Sequence, residues 1–290
     1  MNKKHLQPYG LKYNPFSLNP PMDGLLVTTQ MENFFWRISQ GLLREGGFAL
    51  ITGEPGSGKS IVLQLMIEYL QKQEEVVVGV LTRPQSRLND FYREMGELFG
   101  IDIKPHNRWG GFKTLRKTWQ EHLDQRLIRP ILLIDEAQEM DPGVLSELRV
   151  LASTRLDSRN ILSIALAGDS RLIELLRRPV LVPLASRIRY RLALEPSNRE
   201  ELCNYLRHLQ IQAGNAKLMT SGLVDTLAEH AQGNLRLMIN LANELFTSAI
   251  QKGVTTLDEK LFLEMCESSR KPRIPPAKGK EESRRIPAQH

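Results

Sequence analysis

Glycines, a lysine and a serine at fixed spacing carry the clearest chemistry in this chain. Gly53-Glu54-Pro55-Gly56-Ser57-Gly58-Lys59-Ser60 follows the apolar run Phe48-Ala49-Leu50-Ile51 and precedes Ile61-Val62-Leu63-Gln64-Leu65-Met66. This reads as strand, glycine-rich loop, helix, the context in which G-x-x-x-x-G-K-S binds phosphate. The glycines let backbone N–H groups converge on phosphate oxygens, and the new helix presents its positive end. Lys59 is placed to reach β- and γ-phosphates, the Ser60 hydroxyl can hold Mg²⁺, and Gly53 to Ile61 form the expected binding stretch.

A second constellation is Pro130-Ile131-Leu132-Leu133-Ile134-Asp135-Glu136-Ala137, an apolar strand ending in two acids. The strand carries Asp135 to the carboxyl edge of a sheet, where it can bind Mg²⁺ beside Ser60. Glu136 is placed to polarise an attacking water as general base. Further on, Asn160 to Asp169 reads as a fourth strand. Asp169 at its tip has two open roles, a polar sensor near the γ-phosphate or the cap of a helix starting at Ser170. Arg187 precedes the alternating run Ile188 to Leu194, a fifth strand. An arginine at that point can face a neighbouring subunit and stabilise transferring-phosphoryl charge. Arg236, after Gly233-Asn234-Leu235 at a helix start, can reach the γ-phosphate from the opposite side.

The elements that must position these residues are legible from periodicity. Residues 1–30, with Asn14-Pro15-Phe16 and Asn19-Pro20-Pro21, form an extended lead-in whose aromatics pack on the core. Met31, Phe34, Phe35, Ile38, Leu42 and Leu43 give a helix over Thr29–Arg44 that Gly46-Gly47 stops. The phosphate-loop helix runs to about Gln73. Glu75 to Thr82 predicts a buried parallel strand, Leu88 to Phe99 a helix ended by Gly100, and Val144 to Ser153 another helix. Between Lys104 and Trp119, Arg108, Lys113, Arg116 and Lys117 interleave with Trp109, Phe112 and Trp119. The aromatics can stack on bases, or, with Phe112, Leu115 and Trp119 at helical spacing, face a core. Beyond Pro196 the pattern is wholly helical, with Ser197 and Glu200 as a capping box and helices over 199–213, 221–231, 235–252 and 257–268.

The chain has 290 residues, 25% charged and 41% hydrophobic, and no apolar run long enough for a membrane helix. The polar start, Met1 to His5, lacks the apolar segment of a signal peptide. Cys203 and Cys266 have no metal-ligand spacing and read as inert thiols of a reducing compartment. The cytoplasm is the expected location, with no membrane partner. Net charge is +6, and from Arg270 on seven basic residues face two glutamates, so +5 of that charge lies in the tail. A tail of this kind meets nucleic acid or stays solvated and disordered.

Taken together these motifs resemble the AAA+ ATPases over residues 9 to about 268. Tyr9-Gly10-Leu11, Asn14-Pro15-Phe16, Gly47-Phe48, Asp135-Glu136-Ala137-Gln138, Leu166-Ala167-Gly168 and Ser186-Arg187-Ile188 look like the ExeA-like (general secretion pathway protein A) group. Transposition helper ATPases such as TniB and TnsC are similar. The resemblance implies an α/β P-loop NTPase with a parallel five-stranded sheet flanked by helices, followed by a small all-helical lid. The implied domains are a lead-in at 1–30, a core at 31–195, the lid at 196–268 and a basic tail at 269–290. It implies ATP and Mg²⁺ as ligands, hydrolysis, and a homo-oligomeric ring or filament with ATP between subunits and Arg187 supplied by the neighbour. Asp169 departs from the Gln common at that position in secretion-type members. Those members are also implied to carry a transmembrane segment and a peptidoglycan-binding region, and the sequence has neither. The expectation therefore turns to members found beside transposases, which assemble with ATP on double-stranded DNA without sequence preference and recruit or regulate the transposase. The alternatives are an assembly factor for secretion or envelope machinery acting on protein partners, and a nucleotide switch with negligible turnover.

Overall fold

The computed structural model describes residues 3–17, 19–81, 84–103, 107–154 and 159–270. After helical turns at Lys3–Leu6, Gln7–Tyr9 and Met22–Gly24, the strands of the main sheet are joined through helices, two of them between the second and third strands. These elements are α1 (Thr29–Arg37), β1 (Gly47–Gly53), α2 (Lys59–Gln71), β2 (Val76–Leu81), α3 (Leu88–Phe99), α4 (Arg108–Glu121), β3 (Arg129–Ile134), α5 (Pro142–Ala152), β4 (Ser163–Gly168), α6 (Ser170–Leu176) and β5 (Ile188–Leu194). Four helices follow, α7 (Arg199–Ala213), α8 (Ser221–Ala231), α9 (Leu235–Lys252) and α10 (Glu259–Arg270). The five strands pair in parallel in the order β2-β3-β4-β1-β5, as expected from the apolar runs and their intervening helices.

Both faces of this sheet are covered, and the period-two alternation of the strands divides their residues between two cores. Phe48, Leu50, Leu132, Ile134, Ile164 and Leu166 point to the side held by α3, α4, α5 and α6, where Phe91, Met95, Trp119, Leu148 and Leu172 are buried. Ala49, Ile51, Ile131, Leu133, Ala165 and Ala167 point to the other side, against Phe34, Phe35 and Ile38 of the first helical stretch and Val62, Met66 and Leu70 of α2. The helix from Thr29 continues past α1 through a π-helical turn at Ile38–Leu42 to Glu45. That turn keeps Ile38 and Leu42 buried on the sheet.

Several expectations shift. The β2 run is parallel but forms the sheet edge, so its valines are only half-buried; a β-branched run does not say which neighbours a strand has. The expected strand over Asn160–Asp169 begins at Ser163. Arg159–Asn160 instead pairs antiparallel with Ser153–Thr154, and the N–H groups of Ile161 and Leu162 both donate to the Ala152 carbonyl. The capping box slides by one residue to Asn198 and Glu201, because the side chain and N–H of each meet the other there. The last helix starts at Glu259, since Leu257 is held in a backbone bridge to Met219 and Asp258 caps the turn.

The helices α7 to α10 bury their own core, including Leu206, Leu227, Met238 and Phe246. The lead-in aromatics pack here and not on the sheet. Tyr9 and Phe16 meet the Phe246 ring edge-on, at centroid distances of 5.0 and 6.2 Å, and Asn14 donates to Asn243 Oδ1 at 2.9 Å. In α4, Leu115 and Trp119 are fully buried and Phe112 packs against the same core, whereas Trp109 is 64% exposed. The expected disordered tail at 269–290 overlaps the end of α10, which runs to Arg270, and residues 271–290 lie outside the described residues.

Candidate functional site

Parallel pairing brings every strand's carboxyl end to one edge, where ligands of open α/β sheets bind. The register sets Thr52 beside Gly168 and Ile134 beside Leu166. The loop after β1, the acids after β3 and Asp169 after β4 therefore lie side by side. Gly56 and Gly58 adopt left-handed backbone, at φ 88° and 102°, which lets the loop fold over the start of α2. A helix start leaves N–H groups without intrahelical acceptors, and no side chain caps α2 at Gly58. Lys59 is 6% exposed, and its Nζ donates to the Gly53 carbonyl at 2.8 Å and the Glu54 carbonyl at 3.3 Å. Ser57 Oγ is buried without a protein partner. A donor-rich loop with an orphaned hydroxyl and a buried ammonium suits a phosphate anion.

Ser60 Oγ donates to Asp135 Oδ2 at 2.9 Å, across 75 residues of sequence. Two oxygen donors of this kind fit Mg²⁺, which keeps further positions for phosphate and water. Asp135 Oδ1 accepts from the Glu136 N–H at 2.9 Å. Glu136 is itself left-handed at φ 51°, a conformation that costs a non-glycine residue about 1 kcal/mol or more. Its Oε2 accepts from Gln138 Nε2.

The helical part closes the site. Asn234 Nδ2 donates to the Pro55 carbonyl at 3.1 Å and the Arg236 N–H donates to the Gly56 carbonyl at 3.3 Å. One cavity is lined by Gly56, Gly58, Lys59, Ser60, Ile61, Glu136 and Arg236. Pro15, Pro20 and Leu25 of the lead-in and Tyr205 of α7 add to its wall. Burial pushes the Tyr205 phenol up to about 12, so it brings no negative charge to this wall.

Comparison with known proteins agrees with this architecture. Residues 43–176 match the family model of the AAA domain. The Aeropyrum pernix ORC2 protein, solved as ADPNP-ADP complexes, superposes with a TM-score of 0.69 at 17% identity, covering 89% of this chain and 72% of that one. The fold is the AAA+ P-loop fold. The Aeropyrum pernix ORC1 protein, solved in complex with DNA, shares it with a TM-score of 0.67 at 16% identity over 88% of this chain and 69% of that one. General secretion pathway protein A of Aeromonas hydrophila is 29% identical over 253 residues. The match takes in 86% of this chain and 45% of that relative, so the chain spans about half the relative's length.

Of the expected site residues, Gly53, Glu54, Pro55, Ser57, Asp135, Arg187 and Asp169 are not in the cavity lining, and two of these, Arg187, expected to serve a neighbour's site, and Asp169, make their contacts elsewhere. Arg187 turns its guanidinium to the end of α5, donating to the Arg149 carbonyl at 3.5 Å and Ser153 Oγ at 3.4 Å of its own chain. Asp169 is 5% exposed and caps α6. Its Oδ1 accepts from the Arg171 N–H at 2.9 Å, and its Oδ2 pairs with Arg171 Nη2 at 2.9 Å. The hydrogen bonds from Arg171 hold the Asp169 carboxyl below its ordinary range, with a smaller contribution from the charge of Lys59. Asn234, which precedes Leu235 and Arg236 at the expected helix start, has no role of its own in the sequence reading. Its position directly before the apolar-periodic α9 was the available signal, since Asn is a favoured cap. No sequence signal pointed to Gln138 binding Glu136. Among the described residues no helix is long and apolar enough to cross a membrane.

Proposed function

We propose that this AAA+ chain binds ATP with Mg²⁺ and hydrolyses it, using the change of nucleotide to control its assembly on a partner. The convergence of Lys59, Ser60, Glu136 and Arg236 on one cavity, with Asp135 hydrogen-bonded to Ser60, supports this reading. The loop N–H groups and Lys59 bind the phosphates, releasing Lys59 from the loop carbonyls it now holds. Ser60 and Asp135 hold Mg²⁺, which neutralises phosphate charge. Glu136 takes a proton from water as the water oxygen bonds to the γ-phosphorus and the bond to the β,γ-bridging oxygen breaks, leaving ADP and phosphate. Arg236 meets the phosphates from the helical side, and Arg187 serves a neighbouring subunit's site after leaving its contacts on α5. The cytoplasm, with its ATP, is the compartment this requires.

For the partner, the first reading is double-stranded DNA bound without sequence preference, in the service of a transposase. The basic tail, Lys113 of α4 beside the exposed Trp109 and the DNA complex of the structurally similar ORC1 protein favour it. A second reading, assembly of secretion or envelope machinery on protein partners, is favoured by the name of the 29% identical relative. The test of the common core is nucleotide binding and turnover in two variants. Lys59→Ala should abolish ATP binding, and Glu136→Gln should bind ATP yet lose turnover by about a hundredfold or more. Wild-type hydrolysis in both variants would sink the site assignment.

A further inference from the structure

The turn Ala137–Glu139 that follows the two acids is tied to the tip of β4 through one side chain. Gln138 Nε2 donates to Glu136 Oε2, and Gln138 Oε1 accepts from the Asp169 N–H at 3.3 Å. An amide is the side chain that offers a donor at one end and an acceptor at the other, so these two contacts fix which way it faces. The space for it exists because residue 168 is glycine: a Cβ there would lie 2.6 Å from Gln138 Oε1. The far end is anchored as well. Asp169 caps α6 and pairs with Arg171, and Arg171 reaches back to Glu139 Oε1 at 2.9 Å. Glu136, Gln138, Asp169, Arg171 and Glu139 thus form a closed circuit around the turn.

We propose that Gln138 is the positioning residue for the general base Glu136, and that Asp169 contributes to the site through its backbone and this circuit instead of by touching phosphate. The proposal rests on the hydrolytic reading above. Glu136 is exposed and sits in a left-handed backbone conformation, so left to itself its carboxylate would sample several rotamers. The Gln138 amide removes that freedom while Glu136 faces the cavity, leaving one carboxylate oxygen to accept the proton of water. Displacing a catalytic group by about 1 Å costs up to a hundredfold in rate without changing ground-state binding.

The experiment is steady-state ATP hydrolysis and ATP affinity for the wild type, Gln138→Ala, Gln138→Glu, Glu136→Gln and the double variant Gln138→Ala/Glu136→Gln. Gln138→Ala should lower kcat by about ten- to a hundredfold with ATP affinity unchanged. Gln138→Glu, which keeps the shape and an acceptor for the Asp169 N–H but replaces the donor with a like charge, should lower kcat at least as far. The double variant should be no slower than Glu136→Gln alone, because residues acting as a unit are not additive. Turnover lost in Glu136→Gln but intact in Gln138→Ala overturns the positioning role alone. Equal losses of kcat and ATP affinity, or a further loss in the double variant, overturn it as well. A wild type that binds ATP without turnover overturns it together with the hydrolytic reading.

Discussion

At the scale of single residues, the site puts charges where burial would otherwise oppose them. Asp169 is the clearest case, because a nearly buried carboxylate keeps its charge through the Arg171 guanidinium and the Arg171 N–H in the first turn of α6. Its native carboxyl holds a proton less tightly than the unfolded one, whose ordinary value is 3.8. The pairing therefore adds stability above that value, and the contribution is lost as the pH falls through the lower native one. Denaturation of wild type and Asp169→Asn should show a gap at pH 7 that narrows below about pH 4. A gap that stays constant down to pH 3 would remove the charge from this account. Asp169→Ala loses the cap as well and should cost a further ~1 kcal/mol, read from the denaturation midpoint.

At the scale of elements, the contact between the phosphate loop and α9 matters most. Asn234 uses its oxygen to accept from the Leu237 N–H at 3.0 Å, capping α9, and its amide to hold the Pro55 carbonyl. Asn234→Ser keeps a capping oxygen on a side chain too short to span to the loop. Stability without nucleotide should then change by only about 0.5 kcal/mol, while ATP affinity falls several-fold. Asn234→Ala should lose both, and calorimetric titration beside thermal melting separates the two effects. A Ser variant that binds ATP as tightly as wild type would show that this clasp is not part of the site. The helices of this region were legible in the sequence. The bounds of α7, α8 and α9 follow from apolar spacing and from Gly214, Gly233 and Gly253, since each amphipathic face packs on its neighbours in the same small core. The loop, Asp135 and Glu136 were legible because they rest on local spacing beside an apolar strand. What stayed hidden depends on distant partners: the edge position of β2, the docking of Tyr9 and Phe16 on Phe246, and the Gln138 amide between Glu136 and Asp169.

At the scale of the whole molecule, the two partner readings make opposite demands on charge. Within α4, Arg108 is paired with Glu147 at 2.7 Å and Arg116 with the Val150 carbonyl at 2.6 Å, so neither is free to follow a phosphate backbone. Lys113 instead lies over the exposed Trp109 ring, 4.9 Å from its centroid, and Trp109 stacks on Phe112 at 5.5 Å. Phosphate contacts release counterions, and each one lost lowers the slope of log affinity against log salt by about 0.9. If duplex DNA is the partner, Lys113→Ala should lower that slope by about one unit. Removing residues 271–290, which hold six of the tail's basic residues, should lower it further. Sedimentation with a non-hydrolysable ATP analogue, with and without duplex and at two salt concentrations, decides between the readings. Large assemblies that need both nucleotide and duplex and dissolve in salt support the DNA reading. Assembly with nucleotide alone, unchanged by duplex, by salt or by Lys113→Ala, rejects it in favour of a protein partner, because a phosphate-driven complex cannot be indifferent to both salt and cation loss.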